Sequence, residues 1–73
     1  RATRQIARDL LAEARAGGFN QVAVEGDGDL VDVCRLTCLE QSVPVVFENG
    51  EGKLPVLRVS GASVKLEMPD SEI

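Results

Sequence analysis

Apolar positions near the start of the chain repeat at the spacing of a helix. Ile6, Leu10 and Ala14 fall every four residues between positions 3 and 16. This period places them on one face of an amphipathic helix. Two consecutive glycines follow and predict the end of that helix, because glycine readily takes the left-handed conformation of a C-terminal cap.

A shorter alternating pattern comes next and gives way to a second helical stretch. Val22 and Val24 alternate with other residue types and predict a strand over residues 20–25. Residues 30–41 predict a helix that is apolar nearly all round, with Asp29 as its N-cap. Such a helix is normally covered on more than one side, so we expect a sheet beneath it and a partner above it.

The remaining part of the chain alternates between apolar stretches and turns. It predicts strands over residues 43–48, 54–60 and 63–68. Pro55 predicts that the middle one of these strands lies at an edge or begins irregularly, since proline cannot donate a ladder hydrogen bond. Residues 69–73 predict a frayed C-terminal tail.

The predicted order of elements, α-β-α-β-β-β, indicates the fold class. We expect a single α+β domain over residues 1–68, an α/β two-layer sandwich with both helices on one face of a mixed four-stranded sheet. The unit spanning residues 20–48 should be a right-handed parallel crossover, and the last two strands should extend the sheet as antiparallel neighbours. The second face of the sheet would remain open to water or to a partner.

The chain lacks several residue types on which catalytic and binding sites depend. Its 73 residues contain no His, Trp or Tyr, which excludes an imidazole base, a Ser-His-Asp or Cys-His nucleophile and a Cys-His zinc site. Cys34 and Cys38 stand mid-helix among apolar residues and are expected to be buried and unreactive. We therefore expect no enzymatic activity, no catalytic residue and no cofactor.

No apolar run in the sequence approaches the roughly 18 residues that a membrane-spanning helix needs. The first residues also do not lead into the apolar stretch of a signal peptide. We therefore expect a soluble, cytoplasmic protein that does not enter a membrane. Because the sequence begins at Arg1 rather than Met, it fits a processed chain or a piece of a longer one, and an upstream strand is then one alternative.

Carboxylates crowd the turn between the first strand and the second helix. Asp27, Asp29 and Asp32 follow Glu25 and are interspersed with glycines, which makes these aspartates a candidate site for a hard cation such as Mg²⁺ or Ca²⁺. The simpler hypothesis, which we favour, is that the carboxylates cap the helix and suit the positive end of its dipole.

Basic residues concentrate on the first helix. Arg1, Arg4, Arg8 and Arg15 fall within about 60° of one another around the helix axis. Residues 1–16 carry four arginines and two acids, so that a chain of net charge −4 joins a basic helix to an acidic body. The stripe is interpreted as a solvated face, as counter-charges for acids of this chain or of a partner, or as a phosphate-binding surface. The acidic body and the lack of aromatic support argue against nucleic acid.

The predicted order of the first elements has known parallels. It consists of a helix that ends at Gly18-Phe19, a strand, a turn at Gly26 and a second helix. The stretch from Ile6 to Gly50 is similar to a small domain inside conjugative relaxase-type proteins. The order of elements also resembles Alba-type domains and the C-terminal domain of bacterial initiation factor three, without their first strand. Those folds bind nucleic acid through basic loops and strands, whereas the corresponding loops here are acidic, so the resemblance implies the fold and not the activity.

The apolar second helix, the open sheet face and the arginine stripe together indicate a protein that binds another protein. We expect a small non-enzymatic interaction module whose partner is another protein or a second copy of the chain. Two alternatives remain open. One is an accessory nucleic-acid-binding module that uses the basic first helix, and the other is a divalent-cation site at the acidic turn.

Overall fold

The computed structural model describes residues 2–69, which form two helices and four strands. The helices are α1 (Thr3–Ala16) and α2 (Asp29–Glu40). The strands are β1 (Val22–Gly26), β2 (Val45–Val46), β3 (Val56–Ser60) and β4 (Ser63–Glu67). This order confirms the predicted α+β class, while all of the predicted tail except Pro69 lies outside the described residues. Neither helix is long and apolar enough to cross a membrane.

The four strands form one mixed sheet in the order β2-β1-β3-β4. β1 pairs in parallel with both β2 and β3, and β3 pairs antiparallel with β4. The parallel arrangement predicted for β1 and β2 is confirmed, and so is the antiparallel pairing of the last two strands, β3 and β4. β3 itself joins the sheet through a parallel ladder with β1. Pro55 precedes a central strand instead of an edge strand, and its carbonyl oxygen accepts a hydrogen bond of 2.9 Å from the amide of Ala23.

Both helices pack on the same face of the sheet, as predicted. Alternate residues of a strand point to one side of a sheet, and those of the two central strands join the buried residues of both helices in one core cluster. This cluster contains Ala7, Leu11, Ala14, Val22, Val24, Val31, Cys34, Cys38, Val43, Leu57 and Val59. Most of these side chains are small, so the core is thin and both phenylalanines lie outside it.

α1 ends in the cap that its two glycines predict. Gly18 has a φ of 94°, a conformation that a side chain would strain. The amide of Phe19 donates to the carbonyl of Ala14 at 3.0 Å, and that of Gly18 donates to the carbonyl of Arg15 at 2.9 Å. These two bonds define a Schellman motif, which turns the chain from α1 into β1.

The connection from β2 to β3, residues 47–55, crosses the sheet face that points away from the helices. The backbone amide of Asn49 donates to Glu25 Oε2 at 2.8 Å, and Glu25 points to that face because Val24, the residue before it on β1, faces the core. By the same alternation Ala23 and Val56 point to this face, and both are buried. The face that we expected to be open is therefore covered in part by the chain itself.

Candidate functional site

The predicted arginine stripe lies along the seam between α1 and α2. Arg8 Nη2 lies 3.9 Å from Glu40 Oε1, and Arg15 Nη2 donates to the carbonyl oxygen of Gln41 at 2.6 Å. Gln41 is the C-cap residue directly after α2, so the Arg15 guanidinium lies at the negative end of that helix dipole. This geometry favours the interpretation in which the stripe supplies counter-charges within the chain.

The other arginines of the stripe lie nearer the start of α1. Arg4 is exposed in the first turn, and Arg1 lies outside the described residues. Arg15 is bonded to the end of α2, and Arg8 forms a weak exposed pair with Glu40, so these two arginines are partly engaged within the chain. The nucleic-acid alternative stays a prediction.

The acidic turn before α2 does not adopt the predicted cap. The N-cap is Gly28, and no side chain makes a capping hydrogen bond there. The prediction of Asp29 as N-cap is thus wrong, because Asp29 is already in the first turn of the helix with Asp32, where carboxylates suit the helix dipole. Asp27, Asp29 and Asp32 are exposed, and within residues 2–69 no three His, Cys, Asp or Glu side chains group closely enough to hold a metal ion.

The outer face of α2 carries two leucines that the described chain leaves in water. Leu36 is 54% exposed and Leu39 is 69% exposed, and residues three apart are neighbours on a helix surface. Phe47, which directly follows β2, is 71% exposed. We call Leu36, Leu39 and Phe47 the α2 patch. The helix that was expected to need cover on two sides is therefore covered on one side and carries exposed leucines on the other.

Arg35 links the two parts of the α2 patch. It lies one turn before Leu39 on α2, and its Cζ is 4.6 Å from the centroid of the Phe47 ring, which is a cation–π contact. Its Nη1 lies 3.9 Å from Asp32 Oδ1. Its Nε is buried without a hydrogen-bond partner among residues 2–69. This contact places the Phe47 ring beside α2.

A cleft of about 510 Å³ opens near the carboxyl ends of β1 and β2, the edge where open α/β sheets usually bind ligands. Arg58 lies in its wall and donates from Nη1 to Glu25 Oε1 at 2.9 Å and from Nη2 to Glu67 Oε1 at 3.0 Å. The bond from Arg58 lowers the pKa of Glu67, and the same bond raises the pKa of Arg58. This guanidinium is thus committed to two carboxylates on neighbouring strands.

Asn49 completes the wall of the cleft. Its side-chain Nδ2 donates to the carbonyl of Leu54 at 2.7 Å, and its Oδ1 accepts from the amide of Leu54 at 3.2 Å. Together with the bond from its own amide to Glu25, these contacts fasten the loop of residues 47–55 to the sheet. The polar groups of the cleft therefore hold the loop whose first residue, Phe47, belongs to the α2 patch.

The two thiols lie in the core, as predicted. Cys34 and Cys38 are fully buried and unpaired by a disulfide. Burial raises the pKa of both, and for Cys38, where the neighbouring Cys34 adds to the effect, it does so to about 11. Because the thiolate is the nucleophile, both groups are poor nucleophiles at neutral pH.

Sequence reasoning did not identify the α2 patch or the role of Arg58. Phe47 fell inside a predicted strand, and Leu36 and Leu39 belonged to a helix that was apolar on almost every side. The helical period shows that these leucines lie away from Val31, but only the packing shows which side is buried. The partners of Arg58 depend on the register of β1, β3 and β4, which the sequence pattern does not specify.

No protein-family model, curated protein or solved structure matches this chain.

Proposed function

We propose that this protein is a non-enzymatic interaction module that binds a partner protein through the α2 patch. One observation carries the proposal: two leucines and a phenylalanine lie in water beside a core built mostly of small side chains. Burying one such side chain is worth about 1.5–3 kcal/mol, and a domain of this size has little apolar burial to spare. A complex that covers the α2 patch gains this free energy.

The sheet edge beside the α2 patch favours a partner that packs on the side chains of the patch over one that adds a strand to the sheet. β2 is the edge strand, has only two residues and follows Pro44. Short edge strands and proline resist pairing with a further strand. We therefore expect the partner to present a helix to α2, as in complexes where an amphipathic helix lays its apolar face on a hydrophobic surface.

The chemistry of the chain supports the non-enzymatic part of the proposal. Its thiols are buried with raised pKa values, and the sequence has no His to act as a base. Arg58 in the cleft wall is engaged by Glu25 and Glu67. These groups stabilise the fold and are not poised for proton transfer or nucleophilic attack.

A selection experiment tests the proposal. A display library of helical peptides, randomised at exposed positions, is panned against the immobilised chain, and the enriched peptides are measured against a Leu36→Ser/Leu39→Ser double variant. Both leucines are exposed, so the variant should keep its fold, which circular dichroism checks. We expect the double variant to lose at least about tenfold in affinity, equivalent to about 1.4 kcal/mol.

Ala62→Ser is the matched control, because Ala62 is exposed in the turn between β3 and β4. It should leave peptide binding unchanged. Enriched peptides that bind the double variant as well as the parent chain would contradict the proposal, and so would a selection that enriches no peptide. Light scattering of the chain alone tests whether a second copy of the chain covers the patch instead. A dimer that dissociates in the Leu36→Ser/Leu39→Ser variant would show that the partner is a second copy and not a different protein.

A further inference from the structure

The apolar side chains of the α2 patch lie between carboxylates. Asp32 lies four residues before Leu36 and Glu40 lies four residues after it, so all three fall on one stripe of α2. The side chain of Asp32 is 79% exposed and that of Glu40 is 46% exposed. Glu48, beside Phe47, is exposed as well. An occupant of the patch therefore meets negative charge at both ends of its apolar contact.

The cations of the chain leave these carboxylates available to a partner. Arg35 Nη1 lies 3.9 Å from Asp32 and Arg8 Nη2 lies 3.9 Å from Glu40, at the limit for an ion pair. Exposed pairs of this kind contribute little and are screened by salt. A partner cation that approaches Asp32 or Glu40 along with its own apolar residues therefore adds a favourable contact instead of competing with a strong one.

We infer that the partner segment is a basic amphipathic helix, an inference that rests on the proposed function. Its apolar residues cover Leu36 and Leu39, and Lys or Arg residues flank them on both sides. Asp32 and Glu40 are eight residues apart, or about 12 Å along a helix axis. A helix packed nearly antiparallel or parallel to α2 matches this spacing with cations seven or eight residues apart.

The same charges disfavour other occupants of the α2 patch. In a symmetric dimer the same surface appears on both subunits, so contact through this patch would bring the carboxylates at Asp32 and Glu40 near those of the second copy. An anionic lipid surface or a nucleic-acid phosphate would meet the same repulsion. A foreign basic helix is the occupant whose charge complements the patch.

A matched pair of synthetic peptides tests the inference. Both are 14-residue amphipathic helices with identical leucine anchors, one with lysines and the other with glutamates at the two flanking positions. We expect the basic peptide to bind at least about tenfold more tightly in fluorescence anisotropy at low salt, with the difference shrinking as salt rises. Amide shifts should concentrate at Leu36, Leu39 and Phe47.

A charge reversal makes the test specific to these carboxylates. Asp32→Lys/Glu40→Lys should invert the preference, so that the acidic peptide binds more tightly. The control Glu13→Lys/Glu51→Lys changes the net charge by the same amount at exposed positions outside the α2 patch and should retain the preference for the basic peptide. Equal inversion in both variants would mean that net charge alone decides, which overturns the inference.

The outcomes separate this inference from the function on which it rests. If both peptides bind equally and both lose affinity on Leu36→Ser/Leu39→Ser, the docking surface stands and the basic partner is wrong. If neither peptide binds while the library selection yields binders that need these leucines, the inference again falls alone. If peptide binding does not depend on the leucines, the proposed function falls with it.

Discussion

The guanidinium of Arg15 donates a hydrogen bond of 2.6 Å to the carbonyl oxygen of Gln41, the C-cap residue of α2. The last carbonyls of a helix lack partners within it, and a cation there also interacts favourably with the dipole. This bond joins the end of α1 to the end of α2 across 26 residues of chain. The position of Arg15 on α1 thus suits the end of α2.

Arg15→Gln should lower the free energy of unfolding by about 0.5–1.5 kcal/mol, because one exposed hydrogen bond and a favourable charge at the α2 terminus are lost. Arg4→Gln is the matched control. Arg4 lies in the first turn of α1, where the dipole disfavours a cation, so its removal should be neutral or slightly stabilising. Urea denaturation compares the two. Equal destabilisation by both variants would show that α1 needs its positive charge and not this bond.

Gly26, at the end of β1, provides a second test of the fold. Its φ is 135°, and a Cβ at this position would overlap the carbonyl oxygen of Val59 on β3. Gly26→Ala should therefore strain the backbone and push two paired strands apart, at a cost of more than about 2 kcal/mol. Gly50→Ala, where a Cβ meets open space, should change stability by less than about 0.5 kcal/mol. A Gly26→Ala variant with the parent melting temperature would contradict this account.

Local patterns predicted the elements of this fold better than their arrangement. The period of apolar residues indicated α1, and the length of the apolar stretch indicated α2, each to within a residue or two at each end. The strand predicted over residues 43–48 is reduced to Val45–Val46. Val43 turns toward the core and its amide donates to the carbonyl of Cys38, while Phe47 already lies in the loop. The apolar residues before and after Val45–Val46 therefore looked like parts of a longer strand in the sequence.

The position of β3 and the α2 patch depend on contacts between distant residues. β3 pairs in parallel with β1, and Asn49 and Arg58 both donate to Glu25 at this junction. No local pattern encodes these pairs. The sequence did indicate an apolar α2 in need of cover, but whether Leu36 or Val31 faced the core was decided by packing. Charge was predicted in the same partial way: the arginine stripe was visible, and its partner at Gln41 was not.

The ion pair between Arg58 and Glu67 should appear in an acid titration. The hydrogen bond from Arg58 lowers the pKa of Glu67, so the folded state binds this proton less readily than the unfolded state. The stabilising contribution of Glu67 is therefore complete above its ordinary pKa and is lost as the pH falls through the lowered folded value. Carbon-detected NMR of the Glu67 carboxyl measures this pKa. Arg58→Gln should raise it toward the ordinary value, whereas Lys53→Gln, in the loop, should leave it unchanged.

The buried thiols should behave in the opposite sense at alkaline pH. Burial raises the pKa of Cys38 from 9.0 to about 11, so the folded state retains a proton that the unfolded state releases. The contribution of this thiol to stability is complete below pH 9 and is lost as the pH rises toward 11. The melting temperature of the parent chain should fall more steeply across this range than that of Cys38→Ala.

Reactivity gives an independent measure of the same burial. At pH 8 a soluble disulfide reagent should label both cysteines at once in denaturant and only slowly in the native chain, since a protonated thiol in the core is neither accessible nor nucleophilic. The native rate should follow the opening of the fold, so that destabilisation by Gly26→Ala accelerates labelling while Gly50→Ala does not. Rapid labelling of the parent chain under native conditions would show that α2 opens without unfolding. In that case the face of α2 that carries Cys34 and Cys38 would be accessible to a partner, and the α2 patch would not be the only apolar surface this helix can offer.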